Sequence, residues 1–384
     1  MRRATPHIFP RPQPSAAKRG ASMRFALRAL LCAPLLSAGC GEDHTADSAP
    51  AHTAIGSVAN PPSIDRTAFD DAIRAIETYI GANRTREAEI VARKLVASAA
   101  GDSSLAPTAH EYAARAYFAH AELADDLAPD ARAALLREAA TEAKRAVEPV
   151  ANAAGAATDP SIDTRRFAAM LADRIGDRDE AQRLYDAALA ASPEDTATLL
   201  PAALSALARD AKDPRVDDFA ARHERLAPEA AWSAGLRAEI ALARGDHAAA
   251  LVAAERALAL DRDLLEMRLI LAKALRANGR ARDAARLLSA LAPEERAKAA
   301  IAQQFALALA ESGENSQAAA AWDAAIRAQP SDPYVRAEAA LAFLRAGDEA
   351  RAASELEALN GLFGGAAQRA RIEPILRELR DTTR

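Results

Sequence analysis

The sequence predicts an all-α chain built from stacked helix-turn-helix units, and three observations carry that prediction. Gly245, Gly279, Gly313 and Gly347 recur at an unvarying interval of 34 residues. Alanines keep step with them: Ala250, Ala284, Ala318 and Ala352 follow each glycine by five residues, and Ala238, Ala272, Ala306 and Ala340 precede it by seven. Finally, 50% of the residues are apolar but only 4% are aromatic, so small side chains must build the core, which suits helices that approach closely.

Each repeated residue has a physical cause. A glycine just after a helix can take the left-handed cap conformation without a Cβ penalty. An aspartate behind it can accept a hydrogen bond from the free N–H groups of the next helix. The run Gly176-Asp177-Arg178-Asp179-Glu180-Ala181 shows both, and the small side chain of Ala181 lets a second helix lie close on the first. Pro193 then stops that helix. These columns resemble the tetratricopeptide repeat, whose 34-residue unit carries small residues at positions 8, 20 and 27, a turn near position 15 and often a proline at 32. The resemblance implies a right-handed superhelical solenoid, here of about eight units closed by a C-terminal capping helix, with an inner groove lined by the first helix of each unit.

Taken in order, residues 1–22 are rich in arginine and proline and read as an upstream start extension. Residues 23–39 have a basic start, a short apolar run and small residues at the end, the parts of a secretory signal peptide and too short to span a bilayer. Leu35-Leu36-Ser37-Ala38-Gly39-Cys40 resembles the bacterial lipobox, with Ser37 where that family prefers leucine. The resemblance implies cleavage before Cys40 and lipidation of its thiol; the alternative is an ordinary signal peptide cut near the same place, leaving Cys40 free. The other cysteine, Cys32, also falls in the leader, so no disulfide is available to the body. No aspartate follows Cys40, which favours an outer-membrane anchor facing the periplasm. Residues 40–65 read as a flexible tether with a root-mean-square span of roughly 25 Å; His44 and His52 are solvated linker rather than metal ligands.

Residues 66–160 form the irregular N-terminal units. The first places Ile76, Ala88, Ala92 and Leu95 at core positions. The second is lengthened between Ala121 and Ala139, where Asp125, Asp126 and Asp130 lack the spacing and turn glycine of a calcium loop and Pro129-Asp130 starts a helix instead. Residues 161–366 are the regular array, opened by the unit of Gly176 and Ala181. The fourth unit replaces the glycine with Ala211 and puts His223 in a small-residue column, the reading of a buried, hydrogen-bonded residue rather than a functional one. Four regular units follow over 231–264, 265–298, 299–332 and 333–366. Residues 367–384 cap the array, with Ile372, Ile375, Leu376 and Leu379 on one side of a last helix and Pro374 as a kink or a later start.

By the family's groove positions, partner contact falls to Trp232, Glu239, Glu266, Lys273, Arg276, Gln303, Glu311, Tyr334 and Arg345. Some relatives clamp a terminal carboxylate with lysines and asparagines at fixed positions. That set is missing here, so this ligand class is not carried over. For Trp232 and Tyr334 packing at a unit junction is the competing reading.

A net charge of -5 gives the chain no overall attraction for phosphate backbones, which excludes nucleic acid as the expected partner. There is no phosphate-cradling glycine loop, no His-Glu-x-x-His helix and no nucleophile elbow. His110 and His120 stand ten residues apart, outside the usual metal spacing. The expectation is therefore a protein without catalytic residues, metal or cofactor: an adaptor, lipid-anchored through Cys40 alone, that holds a protein or peptide in its groove and helps assemble an envelope, secretion or pilus complex. The alternative is an enzyme accessory subunit or a cryptic hydrolase using groove carboxylates such as Glu239 and Glu311.

Overall fold

The computed structural model describes residues 65–124, 127–148, 159–360, 362 and 372–379, and all regular structure among them is helical. The leader with Cys40, the tether, Asp125 and Asp126, and the ends of the capping segment lie outside the described residues. Helices α1 (Arg66–Gly81) and α2 (Thr85–Ala99) make the first unit, and α3 (Ala106–Leu123) and α4 (Pro129–Val147) the second. The next three pair α5 (Ile162–Ile175) with α6 (Arg178–Ala191), α7 (Thr196–Arg209) with α8 (Pro214–Leu226), and α9 (Ala231–Arg244) with α10 (His247–Leu260). Then come α11 (Leu265–Ala277) with α12 (Ala281–Ser289) and the short α13 (Pro293–Arg296), α14 (Ala299–Glu311) with α15 (Asn315–Ala328), and α16 (Pro333–Arg345) with α17 (Glu349–Asn360). A last helix, α18, covers 372–379.

The turn chemistry read from the sequence is the turn chemistry of the fold. Gly176, Gly245, Gly279, Gly313 and Gly347 all have positive φ, between 71° and 88°. At each, the glycine N–H and the following N–H donate back into the last turn; after Gly245 these are Gly245 N to Leu242 O at 3.1 Å and Asp246 N to Ala241 O at 2.9 Å. This double bond satisfies the orphan carbonyls of the helix end. The aspartates behind Gly176 and Gly245 cap the next helix, Asp177 accepting from Glu180 N and Asp246 from Ala249 N.

Packing follows from the small columns. Ala88, Ala181, Ala250, Ala284 and Ala318 are fully buried where second helices cross first ones. Each second helix then packs on the first helix of the next unit, while α1 stacks on α3, α5 on α7, α7 on α9, α9 on α11 and α11 on α14. A unit thus buries its faces against its neighbours, and the array winds into a right-handed superhelical solenoid. The core runs the length of the body: one cluster from Phe69 to Ile240, a second from Ala231 to Ala318, a third from Ala302 to Ala352 and a last from Ala337 to Leu379. In the last, Ile372, Ile375 and Leu379 of α18 cover Ala340, Leu341 and Leu359, closing the open end.

Three features depart from the sequence reading. The unit over 265–298, expected to be regular, has a broken second helix: α12 ends at Ser289 and Pro293 opens α13. The cause is local, because Pro293 lacks an N–H and forces Ala292 into an extended conformation, ψ 150°. Arg296 repairs the break by donating to Ser289 O and Leu291 O, both at 2.7 Å. Second, Asn83 has φ 58° and stands in the glycine column of the first unit, giving the same bonding pattern with Arg84 N to Tyr79 O at 2.8 Å; asparagine is the residue that best replaces glycine there. Third, α7 carries Pro201 in its interior and is buried continuously from Thr198 to Leu207. At the turn that follows, α7 ends in extended Asp210, and Ala211 is not left-handed.

Candidate functional site

Helices α9, α11, α14 and α16 carry the sequence-nominated groove residues, and the geometry ties most of their charges together. Lys273 Nζ donates to Glu239 Oε1 at 2.8 Å, from α11 back to α9. Arg276 reaches forward from α11 to Glu311 on α14, with Nε to Oε2 at 3.0 Å, and also meets Gln304. Arg345 of α16 pairs with Glu378 of α18. These partners lie 34, 35 and 33 residues apart, about one repeat, so the charges form a ladder from unit to unit. Other polar contacts join first helices upstream: Arg174 pairs with Glu122 at 2.6 Å across the lengthened second unit, and the Ser205 hydroxyl donates to Asp173 at 2.8 Å.

The ladder changes the meaning of several nominated residues. Glu239 and Glu311, the carboxylates proposed for hydrolysis, are each held by a cation rather than facing a free nucleophile or substrate position. Gln303 is buried. Trp232 packs against both the first and the second core cluster, so it seals a unit junction. Tyr334 is half-buried beside α18 against Leu341 and Ile375. Glu266 is half-buried and has no ion-pair partner among the described residues.

Two carboxylates that sequence reasoning passed over have altered acidity. Burial pushes Asp173 up to about 6 against the opposing pull of the Ser205 hydroxyl and Arg178. The buried Tyr185 hydroxyl faces that carboxylate without closing a hydrogen bond of normal geometry. Burial likewise raises Glu338 on α16, offset in part by Tyr334 and by Arg345 and Arg276. Both could have been suspected as carboxylates inside otherwise apolar first-helix runs, Glu338 lying between Ala337 and Ala339.

His223, His110 and His120 each sit in a contact between helices. His223 Nδ1 lies 2.9 Å from Ser233 Oγ, and that hydroxyl donates its single hydrogen to Ala227 O at 2.6 Å. Ser233 must therefore accept from His223, which fixes the Nδ1–H tautomer, and burial lowers the His223 pKa. His110 pairs with Glu142 and His120 with Glu89, each across a helix interface. Among the described residues no group of three or more His, Cys, Asp or Glu side chains could hold a metal ion, and no helix is long and apolar enough to cross a membrane.

The helix order, the left-handed glycines and the unit-to-unit stacking can now be set beside known structures. The human IFIT1 dimer with m7Gppp-AAAA is similar over 80% of this chain and 75% of that one, at 16% identity and a TM-score of 0.53. The hetero-tetramer Cut9-Hcn1 of APC/C is similar over 81% of this chain and 58% of that one, at 13% identity and a TM-score of 0.50. A tetratricopeptide repeat protein from Parabacteroides merdae aligns with 81% of this chain and 98% of its own, at 14% identity and a TM-score of 0.44. The fold is a tetratricopeptide-repeat solenoid. No protein-family model matches the chain, and no curated protein matches its sequence. At these identities the likeness is one of fold, and what each relative binds stays with that relative.

A tetratricopeptide-repeat solenoid with this inner surface can present side chains at fixed spacing over several units. Each paired charge spans two neighbouring helices of the stack, so the pairs link one helix to the next at the cost of being partly exposed.

Proposed function

We propose that this chain is a non-enzymatic protein–protein interaction scaffold, anchored by a lipidated Cys40 and facing the periplasm, that holds a protein or peptide segment in its groove. Its task on this reading is to assist assembly of a cell-envelope, secretion or pilus complex. The observation that carries the scaffold part is the set of cross-unit ion pairs: Lys273–Glu239 and Arg276–Glu311 tie α9 to α11 and α11 to α14, Arg345–Glu378 ties α16 to the capping helix, and Glu266 between them has no ion-pair partner among the described residues. The same pairing supports a protein rather than a nucleic acid ligand, since each of these cations already faces a carboxylate and the chain carries a net charge of -5. The envelope part is supported by the sequence from Met23 to Cys40 alone.

Both parts have direct tests. Metabolic labelling with a clickable fatty acid should mark the wild-type chain and not C40A; equal labelling would refute the anchor. For the groove, the variant Glu266→Arg should lose the protein that co-purifies with wild type while its thermal unfolding stays within a few degrees. Retention of that protein would move the binding surface away from the groove.

A further inference from the structure

The repeats act as controls for one another, and the outer face of α10 differs from its siblings. At the three outward positions where α6 carries Asp179, Glu180 and Arg183 and α12 carries Arg282, Asp283 and Arg286, α10 carries Ala248, Ala249 and Val252. Val252 is 69% exposed. Beside it opens a hollow of about 470 Å³ between α9 and α10, floored by Ala234 and Ala253 and rimmed by Arg237 and Arg256. Arg237 is itself anomalous. Its column holds Ala168, Ala203, Leu271, Phe305 and Ala339 in the other units of the array.

The two guanidiniums share one carboxylate. Arg237 Nε donates to Glu224 Oε2 at 3.0 Å, while Arg256 approaches the other oxygen of Glu224 at 3.6 Å. Asp217, which also feels Arg237, is taken up at both oxygens by Arg244, so the rim of the apolar hollow keeps a net positive charge. A helix whose outer surface is apolar gains by being covered, and the charge says by what. A second copy of this chain would bring the same arginines against each other. An apolar side chain followed by a carboxylate one helical turn away would fill the hollow and neutralise the rim together.

We infer that the α9–α10 hollow is a second docking surface, on the outside of the solenoid, for an amphipathic helix of a partner protein that carries an acidic residue beside its apolar anchor. The inference shares with the proposed function only that the ligand is a protein segment, and its residues are separate from Glu266, so either can fail alone.

The test uses the full chain and two synthetic helical peptides of equal length with the same leucine stripe, one flanked by glutamates and the other by lysines, followed by fluorescence anisotropy. The acidic peptide should bind at least about tenfold more tightly than the basic one, and V252D and R256E should each weaken it about tenfold. Ile90 occupies the column of Val252 in the first unit and is 54% exposed, so I90D is the control that should leave binding unchanged. V252A guards against misfolding of the aspartate variant and should weaken binding less. Equal binding of the two peptides, or binding indifferent to V252D and R256E, would overturn the inference. So would a dimer of the wild-type chain that V252D converts to monomer, which would assign the face to self-association.

Discussion

A single backbone angle decides the cost of changing a repeat glycine. A Cβ added to Gly313 would meet nothing within 4 Å, yet φ is +83°. G313V should therefore cost about 1–2 kcal/mol through backbone strain alone, read as a lower midpoint in urea unfolding; an unchanged midpoint would remove the cap from the account. Asn83 shows how far such a position is legible. It sits in the same column, but the column was read by glycine and so passed over it, because the tolerance of asparagine for the left-handed region is a second choice rather than a signature. Asp173 gives a prediction in pH. Its folded-state pKa is raised to about 6 from 3.8, so the protonated form favours folding; that contribution is full below 3.8 and is lost as pH rises through about 6. D173N should therefore flatten this part of the stability profile and be more stable than wild type above pH 7 by about 1–3 kcal/mol. A parallel profile would contradict the burial argument.

At the level of the element, the regular units were legible because cap, small column and stop agree over 14-residue helices such as α6 and α10. The break in α12 was equally written in the sequence, at Pro293, but the even glycine spacing on either side masked it. Spacing reports unit length and says nothing of whether a second helix completes its last turn. Because Arg296 supplies the donors that this turn lacks, R296A should destabilise the chain by about 1 kcal/mol, whereas an exposed arginine with no such task, R282A, should change little. Calorimetric scans of the two variants would separate them. The capping element has its own consequence. Substituting Ile372 and Ile375 with aspartate should uncover Leu341 and Leu359 and lower thermal stability by several degrees; no change would mean that the end of the array closes in another way.

For the molecule as a whole, the array was readable and its surface was only partly so. Periodicity along the chain places Lys273, Arg276, Glu239 and Glu311 on the first helices of their units, and there they pair with one another. Whether such residues meet a ligand or each other depends on the rotation between units, and that rotation brings Lys273 within 2.8 Å of Glu239. Linear spacing carries no record of it. The apolar face of α10 is visible when the columns are set against each other, since Val252 stands where Arg183 and Arg286 stand in other units, but a valine by itself carries no chemical signature. The first helices are thus linked by paired charges, and the outer positions that are charged in α6 and α12 are apolar in α10. The central claim is that the inner surface grips a protein partner. A photo-crosslinking residue placed at Glu266 in the groove, and in a parallel strain at the exposed outer Arg286 of the same unit, tests it in living cells. The account predicts one discrete crosslinked protein from position 266 and none from 286; a crosslink from 286 with none from 266 would contradict it.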